Sequence, residues 1–342
     1  MVDEAKMVVI TGGNAGLGYE TAKTIAAAGD DWHVLVAGRD PAKTGEAVRR
    51  LVAETGHHRI EGMTLDLASL ASVRRFAAAL DVRLAGGELP PLRAVVCNAG
   101  IQVVRGMTAT EDGYETTFGV NHLGHFLLVN LLLPRLTVPA RIVFVGSGTH
   151  DPANRLARLT GMPAPRWRDP EALARPDRFP DPAERGEGAA TVGRRRYTTS
   201  KLATIYAAYE LSRRLQAARD GAIGAPVTVN VFDPGLMPGS GLARDAGPVA
   251  RFLWHRVLPA MRFVVPGVSS TRRSGRALAR LVLDPTLAAV TGRYFAGLRD
   301  QPSSPESYDE ANAAALWEAS AALVALAPAD APIVATGKAT AA

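Results

Sequence analysis

The sequence predicts an α/β chain: a three-layer, doubly wound parallel sheet with a long Pro-rich insertion over residues 151–192. Three observations predict it. Short β-branched runs alternate with helical patterns from Met7 to Phe232, and such alternation gives a parallel sheet covered on both faces. A glycine cluster, Gly12 to Gly18, separates the first run from the first helix. Residues 151–192 then break the rhythm, with seven of the chain's 23 prolines, many charges and little periodicity.

The elements follow in order. Met7–Ile10 is a first strand, and Tyr19–Ala28 a helix after Thr11-Gly12-Gly13-Asn14-Ala15-Gly16-Leu17-Gly18. Val34–Val36 is a second strand ending at Gly38-Arg39-Asp40, with a helix over Ala42–Glu54. Ile60–Leu65 is a third strand, Leu70–Leu80 its helix, and Ala94–Cys97 a fourth strand. A long helix, with a break, covers Tyr114–Leu133; Arg141–Val145 and Val227–Phe232 are the fifth and sixth strands. Residues 1–325 read as one domain, with an apolar, Arg-containing lid over about 236–268 and a flexible Ala/Pro-rich tail at 326–342.

Composition excludes several function classes. Hydrophobic residues are 47%, charged residues 21% and the net charge is +6, an ordinary globular balance. The one dense basic cluster is Arg194-Arg195-Arg196, and aromatics are only 6%. Nucleic-acid binding wants a basic stripe with interleaved aromatics, so the cluster reads as a solvated face. The single cysteine, Cys97, excludes a disulfide framework and a cysteine zinc site. His122, His125 and His57-His58 have no acidic or cysteine partners at ligand spacing, so no metal site is expected. The longest apolar run, Phe126–Leu133, is too short for a bilayer, and Met1–Lys6 resembles no signal peptide. The expectation is a cytoplasmic protein without a membrane segment.

The chemistry starts at Tyr197 and Lys201. Four residues apart on a helix, they lie about 40° apart in azimuth. A phenol titrates near about 10, and a neighbouring cation lowers that value, making a general acid/base. The glycine cluster stands after a strand and opens a helix. There it permits a tight turn and close backbone approach to a pyrophosphate, with helix amides facing the anion, as in a Rossmann fold.

The spacing T-G-x-x-x-G-x-G resembles the short-chain dehydrogenase/reductase superfamily, and six further motifs follow in that family's order. Asp66, before Leu67, matches the residue that contacts adenine; Asn98-Ala99-Gly100 matches the motif after the fourth strand. Asn121 matches the Asn that holds a proton-relay water, and Ser147 the Ser that orients substrate. Tyr197 and Lys201 complete the tetrad, and Pro234-Gly235 matches the turn against nicotinamide. The resemblance implies that Gly12, Asn14, Gly16, Leu17 and Gly18, with these residues, bind the dinucleotide. Gly148-Thr149-His150-Asp151-Pro152, Arg196-Tyr197, Ser307-Tyr308-Asp309 and Leu316-Trp317 resemble the retinol-dehydrogenase and protochlorophyllide-reductase-like branch. That branch implies bulky lipophilic carbonyl or alcohol substrates. Gly146 departs from relatives that carry a second serine there.

The second strand ends at Arg39 rather than an acid, and a guanidinium pairs bidentately with phosphate, so NADP is expected over NAD. Asp40 is expected to cap the helix that starts at Pro41. The implied reaction is hydride transfer between NADPH and a carbonyl, with Ser147 orienting, Tyr197 as general acid and Lys201 lowering its pKa. The alternative reading is a nucleotide-binding regulatory protein that keeps the fold without turnover; a third is dehydration or isomerisation on the same fold. His150 reads equally as a substrate contact or a structural hydrogen bond, and Trp167, Phe179, Trp254 and Phe263 as pocket lining or packing. The insertion precedes the Tyr197 helix, through which relatives dimerise, and so favours a monomer.

Overall fold

A computed structural model describes residues 5–219, 226–237 and 267–327. Eight strands among these residues form one sheet in the order β3-β2-β1-β4-β5-β6-β7-β8. They are Lys6–Thr11 (β1), Trp32–Gly38 (β2), Ile60–Thr64 (β3), Leu92–Cys97 (β4), Leu136–Val145 (β5), Val227–Asp233 (β6), Arg293–Ala296 (β7) and Arg299–Gln301 (β8). All neighbouring pairs are parallel except β7 with β8. The last two strands extend the six read from sequence.

The longer helices among the described residues cover the sheet: Gly16–Ala26 (α1), Pro41–Thr55 (α2), Leu70–Ala85 (α3), Gly124–Leu132 (α4), Ala189–Arg219 (α5), Thr271–Leu283 (α6) and Glu310–Leu323 (α7). Alternation along the strands sorts them into layers, because successive side chains leave opposite faces. Val8, Ile10, Val34 and Val36 pack with Leu17, Ile25, Leu51, Leu278 and Val282 of α1, α2 and α6. Met7, Val9, Leu35 and Val95 pack with Phe76, Leu127, Ile205 and Leu316 of α3, α4, α5 and α7. Each fully buried aliphatic side chain contributes about 1.5–3 kcal/mol. Cys97 lies in the second layer, as a small buried residue.

The helix expected over Tyr114–Leu133 is broken by a π-helical turn, Gly119–Leu123, that joins Thr116–Phe118 to α4. Glu115 caps this unit, accepting from the N–H groups of Thr117 and Phe118.

The insertion folds over the start of α5. Trp167 packs edge-on against Tyr206 with ring centroids 4.7 Å apart, so it serves packing. Arg195 pairs with Glu187, Arg196 with Glu184 at 2.9 Å, and Arg166 with Asp181 at 3.0 Å. Arg194 donates to the carbonyl of Gly161. The basic cluster is therefore not a solvated face: the insertion's own acids and backbone take up its charge. Trp254, Phe263 and most of the expected lid and tail lie outside the described residues. No helix among the described residues is long and apolar enough to cross a membrane.

Candidate active site

The strand order reverses at β1 and β4, and the crevice at their C-terminal ends is where open α/β sheets take ligands. Thr11 ends β1, and its hydroxyl accepts from the backbone N–H groups of Asn98 at 2.9 Å and Ala99 at 3.0 Å. The Asn98 amide returns the contact, donating to the carbonyls of Thr11 at 2.8 Å and Gly12 at 3.3 Å. These bonds lock the glycine turn to the end of β4.

The turn's shape needs its glycines. Gly12 and Gly16 have φ of 63° and 56°, a region in which a Cβ is strained. A Cβ on Gly18 would meet Asn98 Nδ2 and the Gly12 carbonyl at 2.5 Å. Leu17 is buried in the core and Asn14 lies beside Gly38. No side chain caps α1, whereas Asp40, Ser69, Ser270 and Asp309 cap α2, α3, α6 and α7. Uncapped amides and a close backbone approach fit a dinucleotide's pyrophosphate. Arg39 is exposed at the end of β2. Asp40 Oδ1 accepts from the N–H groups of Ala42 and Lys43, both at 3.1 Å, as a helix cap. Asp66 follows β3, half-buried and capping its own turn through Ala68, with Leu67 buried beside it.

Asn121 sits in the π-turn, buried. Its Oδ1 accepts from Ile101 N–H at 2.8 Å, and its Nδ2 donates to Ile101 O at 2.9 Å and Ser200 Oγ at 3.0 Å. Its side chain thus pins the segment after Asn98-Ala99-Gly100. A Cβ on Gly100 would lie 3.4 Å from Asn121 Oδ1 and 3.6 Å from Lys201 Nζ, so that turn abuts the tetrad. His125 bridges the same parts: Nδ1 is 3.3 Å from the Asn121 carbonyl and Nε2 is 2.9 Å from Thr11 Oγ1. Burial lowers its pKa to about 4, so it acts as a neutral strut. His122 meets Ser320 of α7 at 2.7 Å and is likewise buried.

Ser147 follows β5. Thr149 Oγ1 donates to Ser147 Oγ at 3.0 Å, which leaves the serine's own proton for a third oxygen. Tyr197 and Lys201 lie on α5, 6% and 5% exposed. Lys201 Nζ donates to the Val145 carbonyl at 2.8 Å and stands 5.8 Å from the Tyr197 ring centroid. Burial pushes the phenol up to about 12, against a hydrogen bond with Ser147 that lowers it. The net shift is upward, opposite to the one expected from Lys201 alone. The ammonium is turned toward the Val145 carbonyl, and desolvation governs the phenol. Burial also lowers Lys201 to about 8, opposed by Asp233.

Pro234-Gly235 follows β6. Gly235 has φ of 72°, and its N–H donates to Asp233 Oδ1 at 2.9 Å. His150 is settled as structural: its Nδ1 donates to the Ser147 carbonyl at 2.7 Å and its Nε2 accepts from Ser304 N–H at 3.0 Å. The geometry gives structural roles to Thr11, His125 and Thr149, already read from sequence, and adds Asp233 and Tyr294. Asp233 was visible as an acid before Pro234-Gly235; Tyr294 carries no spacing signal.

A model of the short chain dehydrogenase family matches residues 6–155. Human retinol dehydrogenase 13 is 34% identical over 323 residues, covering 94% of this chain and 85% of that protein. Chloroplastic protochlorophyllide reductase A of Oryza sativa subsp. japonica is 36% identical over 332 residues, covering 94% and 81%. A crystal structure of an uncharacterized protein from Mycobacterium paratuberculosis superposes with a TM-score of 0.64 at 30% identity, covering 94% of this chain and 96% of that one. With the sheet order, glycine turn and tetrad side chains together, these likenesses place the chain in the short-chain dehydrogenase family of oxidoreductases, in its retinol-dehydrogenase and protochlorophyllide-reductase-like branch.

Proposed function

We propose that this chain transfers hydride between NADP(H) and a carbonyl or secondary alcohol of a bulky lipophilic substrate, working chiefly as a carbonyl reductase. The observation that carries the reading is the convergence of Asn121, Ser147, Tyr197 and Lys201 beside the glycine turn. NADP over NAD is supported by exposed Arg39, with Lys43 one turn away and Asp40 spent on its cap. The glycine turn, Asp66, Leu67, Asn98-Ala99-Gly100 and Pro234-Gly235 would hold the dinucleotide. When bound, the reduced nicotinamide supplies a hydride to the carbonyl carbon.

The chain's own groups handle the oxygen. Ser147, whose hydroxyl also meets Tyr197, would donate to the carbonyl oxygen, where negative charge develops. Tyr197, a neutral phenol at neutral pH, donates the proton that completes the alcohol. Lys201 is largely cationic below about 8 and supports the charge that Tyr197 acquires. Asn121 holds the segment around Ile101 against this site and so keeps Lys201's surroundings in register. A phenol that stays protonated favours the reductive direction. The lipophilic substrate class is supported by the relatives named for retinol and protochlorophyllide, both large and mostly apolar molecules.

The test is a panel of apolar ketones and aldehydes followed by NADPH absorbance. Tyr197→Phe is expected to lose about 10²–10⁴-fold in kcat while still binding NADPH. Full turnover by that variant would overturn the reading, as would NADPH binding without turnover of any carbonyl.

A further inference from the structure

Asp233 is the charged side chain of the site to which the reaction above gives no task. It ends β6 and is 8% exposed. Its Oδ2 accepts from the Tyr294 hydroxyl at 3.0 Å, and its Oδ1 from Gly235 N–H at 2.9 Å. A Cβ on Gly148 would come within 2.9 Å of the same Oδ2. The carboxylate therefore lies against the backbone of the Ser147–Gly148 turn. Val145, whose carbonyl takes the Lys201 ammonium, pairs across the sheet with Phe232, the residue before Asp233. The carboxylate and the carbonyl that holds the ammonium stand on neighbouring strand ends, and both charged groups are out of water. The carboxylate's hydrogen bonds go to Tyr294 and Gly235 rather than to Lys201.

Gly146 belongs to this arrangement. A Cβ there would lie 2.8 Å from Val231 Cγ1 and 3.8 Å from the Tyr294 ring. A serine at this position would require Val231 to shift, while its Cβ would meet the Tyr294 ring at ordinary contact distance.

We propose that Asp233, oriented by Tyr294, is a positioning residue that keeps Lys201 an ammonium and Tyr197 a neutral phenol, setting the pair in its proton-donating state. The inference rests on the roles proposed above for Tyr197 and Lys201. Burial by itself strips a lysine of its charge. A fixed carboxylate nearby opposes this, and the attraction is weakly screened away from water. Asp233 acts against burial at Lys201 and with burial at Tyr197. The other groups that face this cluster are His125 of α4, His150 and Asp151 after β5, and Tyr294 of β7. Burial holds both histidines below their ordinary range, so neither competes as a cation. Asp151 acts on His150 and Tyr294.

Asp233→Asn removes the charge while keeping an acceptor for Gly235 and a polar partner for Tyr294. The whole chain has five lysines, few enough to follow by carbon-13 NMR after Cε labelling, with Lys201→Met identifying the signal. Without added cofactor, the Lys201 midpoint, near 8 in the parent, is expected to fall by about one pH unit in Asp233→Asn. The alkaline limb of kcat/KM for reduction should move down with it. Asp233→Ser provides a second neutral replacement if the first does not fold. Tyr294→Phe, which keeps the charge, should move the midpoint less. A Lys201 midpoint that stays within about 0.2 pH units in either neutral variant, or an equal shift in Tyr294→Phe, would overturn the proposal. Those outcomes alongside an inactive Tyr197→Phe remove only the role of Asp233. An active Tyr197→Phe removes the underlying reaction instead.

Discussion

At the scale of single residues, charge placement decides the chemistry. Lys201 titrates near 8 because burial disfavours its cation. Its functional form is therefore complete below that value and lost as pH rises through it. Carbonyl reduction should hold at neutral pH and decline above about 8, read from a kcat/KM profile. Arg39 is the residue aimed at cofactor choice. Arg39→Asp should raise the KM for NADPH by about 10–100-fold, because repulsion replaces a charge-assisted hydrogen bond to the phosphate. An unchanged NADPH-to-NADH ratio would show that Arg39 does not select the phosphate. Gly18 is bounded by backbone and by Asn98, so Gly18→Ala should cost about 1–3 kcal/mol of stability or abolish nucleotide binding. Tyr197, Lys201, Ser147 and Asn121 were legible as residue types in order. The upward shift of the phenol was not, because it depends on how deeply α5 is packed.

At the scale of elements, caps and breaks position these groups. Asp40 closes the first turn of α2 with two backbone bonds. Asp40→Ala should lower stability by about 1 kcal/mol, read from denaturant unfolding, while leaving NADPH preference intact. A strong change in preference without a stability loss would move Asp40 from the helix to the cofactor. The π-turn at Gly119–Leu123 turns Asn121 to Ile101 and His122 to Ser320, on different elements. The sequence showed a helix with a break there, but not its kind, since Gly124–Leu132 is apolar and buried on almost every side and so shows no change of phase. β7 and β8 carry no sequence signal because four and three residues are too few to show alternation. Their placement matters all the same, because β7 carries Tyr294.

At the scale of the molecule, α5 is enclosed by its own chain. Trp167 of the insertion packs on Tyr206, whose hydroxyl donates to the Glu306 carbonyl. Arg214 reaches Glu318 of α7 at 2.8 Å and lies over the Trp317 ring. A helix covered in this way offers little free face to a second copy. Sedimentation is expected to give one species near the chain mass of 36.1 kDa across concentrations. A dimer that persists on dilution would refute that expectation.

The sequence by itself determined the layered α/β architecture, the glycine turn and the order of the tetrad. Each is encoded locally, in the period of apolar residues or in a residue type that a turn or a proton transfer requires. Only the tertiary structure decided which charges share the site. Asp233, Tyr294 and Lys201 come from β6, β7 and α5, far apart along the chain and joined by sheet order. It also decided that the arginines before Tyr197 serve the insertion, since their partners, Glu184 and Glu187, meet them only when that segment folds back. Burial and through-space charge depend on what the fold brings together, and no spacing rule along the chain encodes them.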